Sequence, residues 1–497
     1  MFALCAFAAF WPARGLARAD GVVPARNAVA DYCGESNFSV YLDAEKTLYA
    51  SGANAVGQLG RGFRDGGKKI QPLTHRVLER VAMFDTGKSG FTLAVTEDGG
   101  VWAWGSNEFG QCGQAAVKID PENCVTAPAQ IALPDGAVPA AVAAGERHSL
   151  LLGADGGVYA WGSNSAGQLG LGLPVSRQTF ADRPSKISRA YFGGQSVAAV
   201  AAAGDSSFAL CETGEVYAWG DGGDGLLADG AGYGQTAAVP QRTLLSGVKK
   251  ISAEGATAMA LTDESRIYVW GSNTSKQFGI PEFTGNKSDA PQEVVKTVDI
   301  RGEDVAGEFT DILCGGIANF ALSNGGRVFA FGAGGRGELG FDARDAERYG
   351  SSYAALPNVT APTAVTFYKP LDIEAITAGN DAALQGKLPV DKTAVADVTV
   401  KRLVNSIGAR TFVEDADGRL WSWGDNTDGM AASGDLNAAS VPVRSTLYRN
   451  GDYDKEITSK NYLLQPIVGL AVIFGVAAVL IGWAEVKRGR AHGRGKM

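Results

Sequence analysis

Histidine is almost missing from this chain: His75, His148 and His492 are the three among 497 residues. No Ser-His-Asp set and no His/Cys metal cluster can be assembled from so few imidazoles. The paired carboxylates Asp415 and Asp417 stand in an Asp-Ala-Asp-Gly run, which reads first as a hairpin turn. Cysteine is sparse as well. Cys5, Cys33, Cys112, Cys124, Cys211 and Cys314 contain no CxxC pair, so no zinc site is expected. Cys112 and Cys124 could close one loop, although free thiols in a reducing space, or buried ones, are the preferred reading. Proline numbers 18 and glycine follows no Gly-X-Y period, which excludes collagen. A basic excess is lacking too. The net charge is -8, with +4 in residues 485–497 and +2 in residues 1–19, which leaves the body at -14. Nucleic acid is therefore not expected as the main partner, because phosphate binding needs a basic face.

What is abundant is glycine, 67 residues against a usual share of about 7%. Much turn and little helix follows. Both ends are special. Residues 1–19 are apolar with two arginines and no acid, and are read as a targeting segment. Asn461 to Ala484 forms 24 residues without formal charge, bracketed by Tyr462 and Trp483. At 1.5 Å per residue this spans ~36 Å, enough for a hydrocarbon core. The expectation is a transmembrane helix over 462–484, after a linker at 451–461 and before a basic tail at 485–497. The preceding flank is net -1 and the tail +4, which places the tail on the cytosolic or matrix side.

The body is a repeat. Seven segments run aliphatic, aromatic, small, aromatic, glycine, or a close variant: LYASG (48–52), VWAWG (101–105), VYAWG (158–162), VYAWG (216–220), IYVWG (267–271), VFAFG (328–332) and LWSWG (420–424). Seven of the nine tryptophans lie in them. Successive closing glycines are separated by 53, 57, 58, 51, 61 and 92 residues. A second glycine precedes each by 16–18 residues, and between the two come a short apolar strand and a turn such as Glu97-Asp98-Gly99. That is strand, hairpin, strand. Glycine-rich turns follow: GSNEFGQCG (105–113), GSNSAGQLG (162–170) and GSNTSKQFG (271–279). Each unit offers about four short antiparallel strands, and such sheets bury their faces only against neighbours arranged radially. The aromatic stripes are read as core, and the closing glycines as sites of positive φ or close approach.

The segment VYAWGSNSAGQLGLG (158–172), preceded by AAGERHSLLLGADGG (143–157), resembles the repeat of the regulator of chromosome condensation family. The resemblance covers roughly 32–450 and implies an all-β, seven-bladed β-propeller of four-stranded blades, placed here at 27–450. In that family one blade is completed by strands from both chain ends. The strand Ala439 to Leu447 is therefore expected to pair with the first blade, which begins near Val29. The long last interval implies an insertion at about 371–400. Residues 61–95, with Lys68-Lys69, Ile70-Gln71-Pro72 and Gly90-Phe91-Thr92-Leu93, are similar in layout to the second repeat of the family's mitochondrial members.

Three motifs imitate chemistry. Gly220-x-Gly222-x-x-Gly225 and Gly332-x-Gly334-x-x-Gly337 match a dinucleotide loop, but each is the repeat's own turn and lacks the helix that should follow. Ala82 through Gly87-Lys88-Ser89 matches a loose phosphate-binding loop, yet a strand follows, so Lys88 is read as a surface loop residue. His148 is expected to hydrogen-bond within its blade, and His75 to lie in a loop. Asn37, Asn273, Asn286 and Asn358 stand in N-x-[ST] sequons, little more than chance supplies.

The reading is a membrane-anchored propeller that binds proteins and assists assembly of a mitochondrial complex, without being an enzyme. No catalytic, cofactor or metal residue is assigned, and no cofactor is expected. The expected location is the mitochondrial inner membrane, with a secretory-pathway membrane as the alternative. The alternative function, which the family's founding members imply, is guanine-nucleotide exchange on a small GTPase.

Overall fold

Each repeat folds into one antiparallel sheet, and neighbouring sheets share a core. The computed structural model describes residues 27–33, 36–42, 46–64, 71–115, 122–134, 136–176, 178–295, 297, 308–335, 337–340, 359–370, 390–407, 410–424 and 439–444. The chain divides into two compact units, 1–445 and 446–497, and all of the described residues belong to the first.

Blade 2 shows the pattern. Val81–Gly87, Phe91–Thr96, Val101–Ser106 and Cys124–Gln130 pair in that order, each antiparallel to the next. The same four-strand order recurs in blade 1 (27–78), blade 3 (139–186), blade 4 (197–242), blade 5 (248–294) and blade 6 (309–364). Two inner strands, Pro139–Ala144 and Val197–Ala203, are short runs of small residues. Small side chains let the strands converge, and alternation places every second residue against the adjacent blade.

Where the motif carries a second aromatic, it fills the seam between blades. Trp104, Trp161, Trp219, Trp270 and Trp423 are all 0% exposed, as is Phe331 in blade 6. A buried ring of 150–250 Å² contributes roughly 4–6 kcal/mol of gross apolar stabilisation. One seam joins Met259, Val269 and Phe278 of blade 5 to Ile312, Phe329 and Phe331 of blade 6. The closing glycines all take positive φ, from 93° at Gly271 to 107° at Gly332. At Gly162 an added Cβ would lie 2.6 Å from the Arg147 carbonyl oxygen and 2.7 Å from the His148 Cα. Both the handedness and the close strand approach therefore exclude a side chain there.

The expected architecture needs correction in four respects. Seven equivalent blades were expected; the regular series comprises six consecutive four-stranded blades and then breaks. A two-stranded sheet of Tyr368–Pro370 and Val390–Val395 interrupts it before a terminal four-stranded sheet, Val400–Ile407, Arg410–Asp415, Leu420–Gly424 and Ala439–Arg444. The expected insertion at 371–400 is thus partly strand; its residues 371–389 lie outside the described residues. Second, the ends do not share a blade. Ala439–Arg444 pairs with Leu420–Gly424 in its own sheet, and Asn27–Cys33 pairs with Ser36–Leu42. The first strand lies beside Val400–Ile407, so the two sheets meet by packing and not by strand exchange. A partner near in sequence costs less loop-closure entropy than one 400 residues away. Third, the transmembrane helix finds no support: among the described residues no helix is long and apolar enough to cross a membrane, and 462–484 lie outside them. The targeting segment 1–19, the linker 451–461 and the tail 485–497 also lie outside the described residues. Fourth, His75 is in the strand Gln71–Leu78 and not in a loop.

Candidate functional site

The blades present two ends. One carries the second-to-third-strand hairpins. The other carries the glycine turns and the short loops between the first and second strands.

The glycine turns are held by an Asn and a Gln four residues apart. In blade 3, Asn164 Oδ1 accepts from Leu169 N at 3.2 Å and Gln168 Oε1 accepts from Ala166 N at 2.8 Å. Asn54/Gln58, Asn107/Gln111 and Asn273/Gln277 repeat both bonds. Each turn then receives the next blade. Trp104, Trp161 and Trp219 donate their indole N–H groups to the carbonyls of Gln58, Gln111 and Gln168, at 3.1, 2.8 and 2.9 Å. Trp270 and Trp423 do the same to Leu226 and Glu338, at 3.1 and 2.8 Å. Ser149 and Ser207 add hydroxyl bonds to the same Gln111 and Gln168 carbonyls. Blade 6 has Phe331 in place of the tryptophan, and there Asn319 Nδ2 donates to Gln277 O at 2.7 Å. The turns are thus rigid parts of the interblade seams.

Inside this ring the short loops meet around the axis. Ser89 N donates to Glu146 O at 3.1 Å, and Glu146 N to Gly204 O at 2.8 Å, joining blades 2, 3 and 4. Arg147 pairs with Asp205 at 2.8 Å and its guanidinium lies 5.6 Å from the centre of the Phe109 ring. Gln168 Nε2 donates to the other Asp205 oxygen at 2.9 Å. Half-burial opposes the Arg147 charge, but Asp205 and then Glu146 outweigh it, and the guanidinium is held more firmly protonated than usual. Lys88 of blade 2 reaches Glu254 of blade 5 at 3.3 Å. Both line a small cavity with Thr86, Ala144, Glu146 and Ala202. Farther out, Asp221 and Asp224 of the blade 4 turn are exposed. Asp224 lies 3.9 Å from Lys287, and on the hairpin end carboxylates are likewise paired, as in Asp155 with Lys186 at 3.1 Å and Glu215 with Arg242 at 2.6 Å.

The residues singled out by sequence fall as follows. Lys88 sits between the strands Val81–Gly87 and Phe91–Thr96, with no helix after it, so the phosphate-loop geometry is not formed. It is no idle loop residue, because it spans to blade 5. Gly222 and Gly225 belong to the blade 4 turn, and Gly334 and Gly337 to that of blade 6. His148 is 0% exposed, and its Nε2 lies 2.8 Å from Ser207 Oγ. Ser207 Oγ donates onward to Gln168 O, so His148 Nε2 is the donor, and the bond crosses to blade 4 where one within the blade was expected. Burial pushes the His148 pKa down to about 4. Asp415 accepts from Asp417 N, Arg419 N and Trp421 Nε1 at 2.8–3.0 Å, which makes it a hairpin anchor. Asn273 is 1% exposed with both amide atoms used in its turn, so this sequon is not open to a glycan. Asn286 is exposed, Asn37 lies in Ser36–Leu42, and Asn358 and His492 lie outside the described residues. Cys112, Cys124, Cys211 and Cys314 are free thiols. Among the described residues no group of three or more His, Cys, Asp or Glu could hold a metal.

Sequence reasoning missed the Asn/Gln pairs, Asn319 and the Lys88–Glu254 contact. The first carried a readable signal, the Asn-x-x-x-Gln spacing recurring in four turns. The others join residues far apart in the chain.

The comparisons agree with this geometry. The RCC1-like domain family matches residues 17–384. "RCC1 domain-containing protein RUG3, mitochondrial" of Arabidopsis thaliana is 26% identical over 406 residues, covering 77% of this chain and 78% of that protein. "Guanine nucleotide exchange factor SRM1" of Saccharomyces cerevisiae is 32% identical over 197 residues, 37% of this chain and 39% of that protein. The crystal structure of human WBSCR16 superposes with a TM-score of 0.62 at 22% identity, covering 81% of this chain and 95% of that one, a likeness of fold. The resemblance carried by the Trp-Gly repeats is therefore borne out, and the chain belongs to the RCC1-like domain family.

Proposed function

We propose that this propeller is a non-enzymatic protein-docking platform of the mitochondrion that assists assembly of a multiprotein complex, with the glycine-turn end as its docking face. The observation that carries the reading is the rigidity and charge of that end. Asn, Gln and Trp bonds fix the turns, Asp205 and Glu146 hold Arg147 beside the axis, and Asp221 stands exposed farther out. Charges held in place before binding lose little side-chain entropy on association, and they favour specificity. The name of the Arabidopsis relative supports the compartment.

The test is affinity purification of the tagged full chain from mitochondria, with quantified co-purifying proteins. Glu146→Lys together with Asp221→Lys should remove the specific partner, and Asp98→Lys on the hairpin end should not. Equal retention by all three would refute the face assignment.

A second reading rests on the yeast relative named as a guanine nucleotide exchange factor. It has a small GTPase dock on the same face and release its nucleotide. Purified protein would then accelerate release of a fluorescent guanine nucleotide from a cognate GTPase. A panel of small GTPases showing no acceleration at micromolar protein would discard it.

A further inference from the structure

Blade 2 carries two thiols on one strand-and-turn unit. Cys112 ends its glycine turn, where the corresponding residues are Leu59, Leu169, Phe278 and Leu339, all fully buried apolar plugs. Its sulfur lies 3.2 Å from the Ser106 carbonyl oxygen. Cys124 opens the outer strand and is the direct cross-strand partner of Ser106. Directly opposed residues of an antiparallel pair have Cα atoms about 4.5–5.5 Å apart. Both cysteines are therefore registered on the same residue, and Asn107 N, donating to Asn123 O at 2.9 Å, holds the turn and the strand together beside them. Cys112 is buried and Cys124 only half-buried. Cys211 and Cys314 have no such companion among the described residues: they lie in blades 4 and 6, each within an inner or middle strand.

We propose that Cys112 and Cys124 form an oxidisable pair, which a small-molecule disulfide such as oxidised glutathione converts to an intramolecular bond that pins the blade 2 glycine turn to its outer strand. The half-buried Cys124 reacts first. Its thiolate attacks one sulfur of oxidised glutathione, forming a mixed disulfide and releasing one glutathione thiolate. The Cys112 thiolate then attacks the Cys124 sulfur and releases the second. Two protein thiols lose two protons and two electrons, and one glutathione disulfide becomes two thiols. Burial, and then the nearby Cys124, push the Cys112 thiol well above its ordinary range, so the second step is slow near neutrality and quickens as pH rises.

The experiment treats the folded full chain with oxidised glutathione, blocks remaining thiols by alkylation, and maps peptides by mass spectrometry. A Cys112–Cys124 linked peptide, reversed by dithiothreitol and formed faster at pH 8.5 than at pH 7, is expected. Cys112→Ser should stop at a glutathione adduct on Cys124, and Cys124→Ser should leave Cys112 unmodified. In the oxidised wild type, amide exchange at Cys112 and Gly113 should slow severalfold. A stable glutathione adduct on wild-type Cys124 with Cys112 alkylated would overturn the proposal, as would no reaction at either thiol. Because the wild-type map decides this, the outcome does not depend on either variant folding.

Discussion

Blade 6 permits a swap that isolates the interblade bond. In blades 3 and 4 a tryptophan and a serine both donate to the preceding turn's glutamine carbonyl. In blade 6 the pair is Phe331 and Asn319, and Asn319 alone supplies the bond to Gln277 O. Asn319 also accepts from Gly315 N at 3.2 Å and is 0% exposed. Asn319→Ala leaves the buried Gln277 carbonyl without this bond, while Gly315 N keeps its bond to Ala318 O at 3.0 Å. For one unsatisfied group the loss should be roughly 1–3 kcal/mol. Asn319→Ser keeps a short donor and should cost about 1–2 kcal/mol. Phe331→Trp alone overpacks the seam, because Asn319, its direct cross-strand partner, already occupies the Gln277 carbonyl, and should cost about 1–3 kcal/mol. The double variant rebuilds the arrangement of blades 3 and 4. A Cβ added at Gly170 would lie 2.7 Å from the Trp219 ring and one added at Gly279 2.7 Å from the Phe331 ring, so in both seams the ring packs against a bare glycine. Denaturant unfolding of all four proteins should give a favourable coupling of about 1–2 kcal/mol. Additive losses, within about 0.5 kcal/mol, would refute the view that the indole N–H and the Asn319 amide serve the same carbonyl.

Three further outcomes follow from the seams. The His148 pKa of about 4 lies below its ordinary 6.5, so the unfolded chain binds the proton more readily; stability should fall by roughly 3 kcal/mol as pH drops from about 6.5 to about 4, and His148→Asn should flatten that part of the pH-melting curve. Gly162→Val should cost at least about 2 kcal/mol, since φ is 100° and the opposing strand leaves no space, and an unchanged melting temperature would contradict the strain account. Lys250 and Asp311 join blades 5 and 6 with side chains only 8% and 15% exposed, so Asp311→Ala should cost about 3 kcal/mol and Asp311→Asn less, read by the same unfolding assay.

Much of this was legible in the sequence, for local reasons. The Trp-Gly motif, the hairpin turns and the paired glycines encode strand order within one repeat, and each repeat closes over fewer than a hundred residues. The second aromatic of the motif announces a seam because so large an apolar ring is stable only when buried. What was not legible depends on distance or choice. Ala439–Arg444 could complete either the first sheet or its own, and nothing in its composition favours one; proximity to Leu420–Gly424 decides. The segment Val390–Val395 finds Tyr368–Pro370 across residues that carry no repeat signature. His148 bonding to Ser207 and Lys88 reaching Glu254 depend on the angle between blades, which no single repeat encodes. Asn319 replacing an indole donor makes sense only once Phe331 is seen beside the Gln277 carbonyl.

The central claim is that the glycine-turn end is where a protein partner docks. Hydrogen–deuterium exchange of the full chain, alone and in the complex purified from mitochondria, tests it directly. Protection is expected at residues 107–113, 146–147, 164–168, 205 and 221–225, with the hairpins 97–99, 154–156 and 263–265 unchanged. Protection confined to those hairpins, with the glycine turns exchanging as in the free protein, would contradict the account.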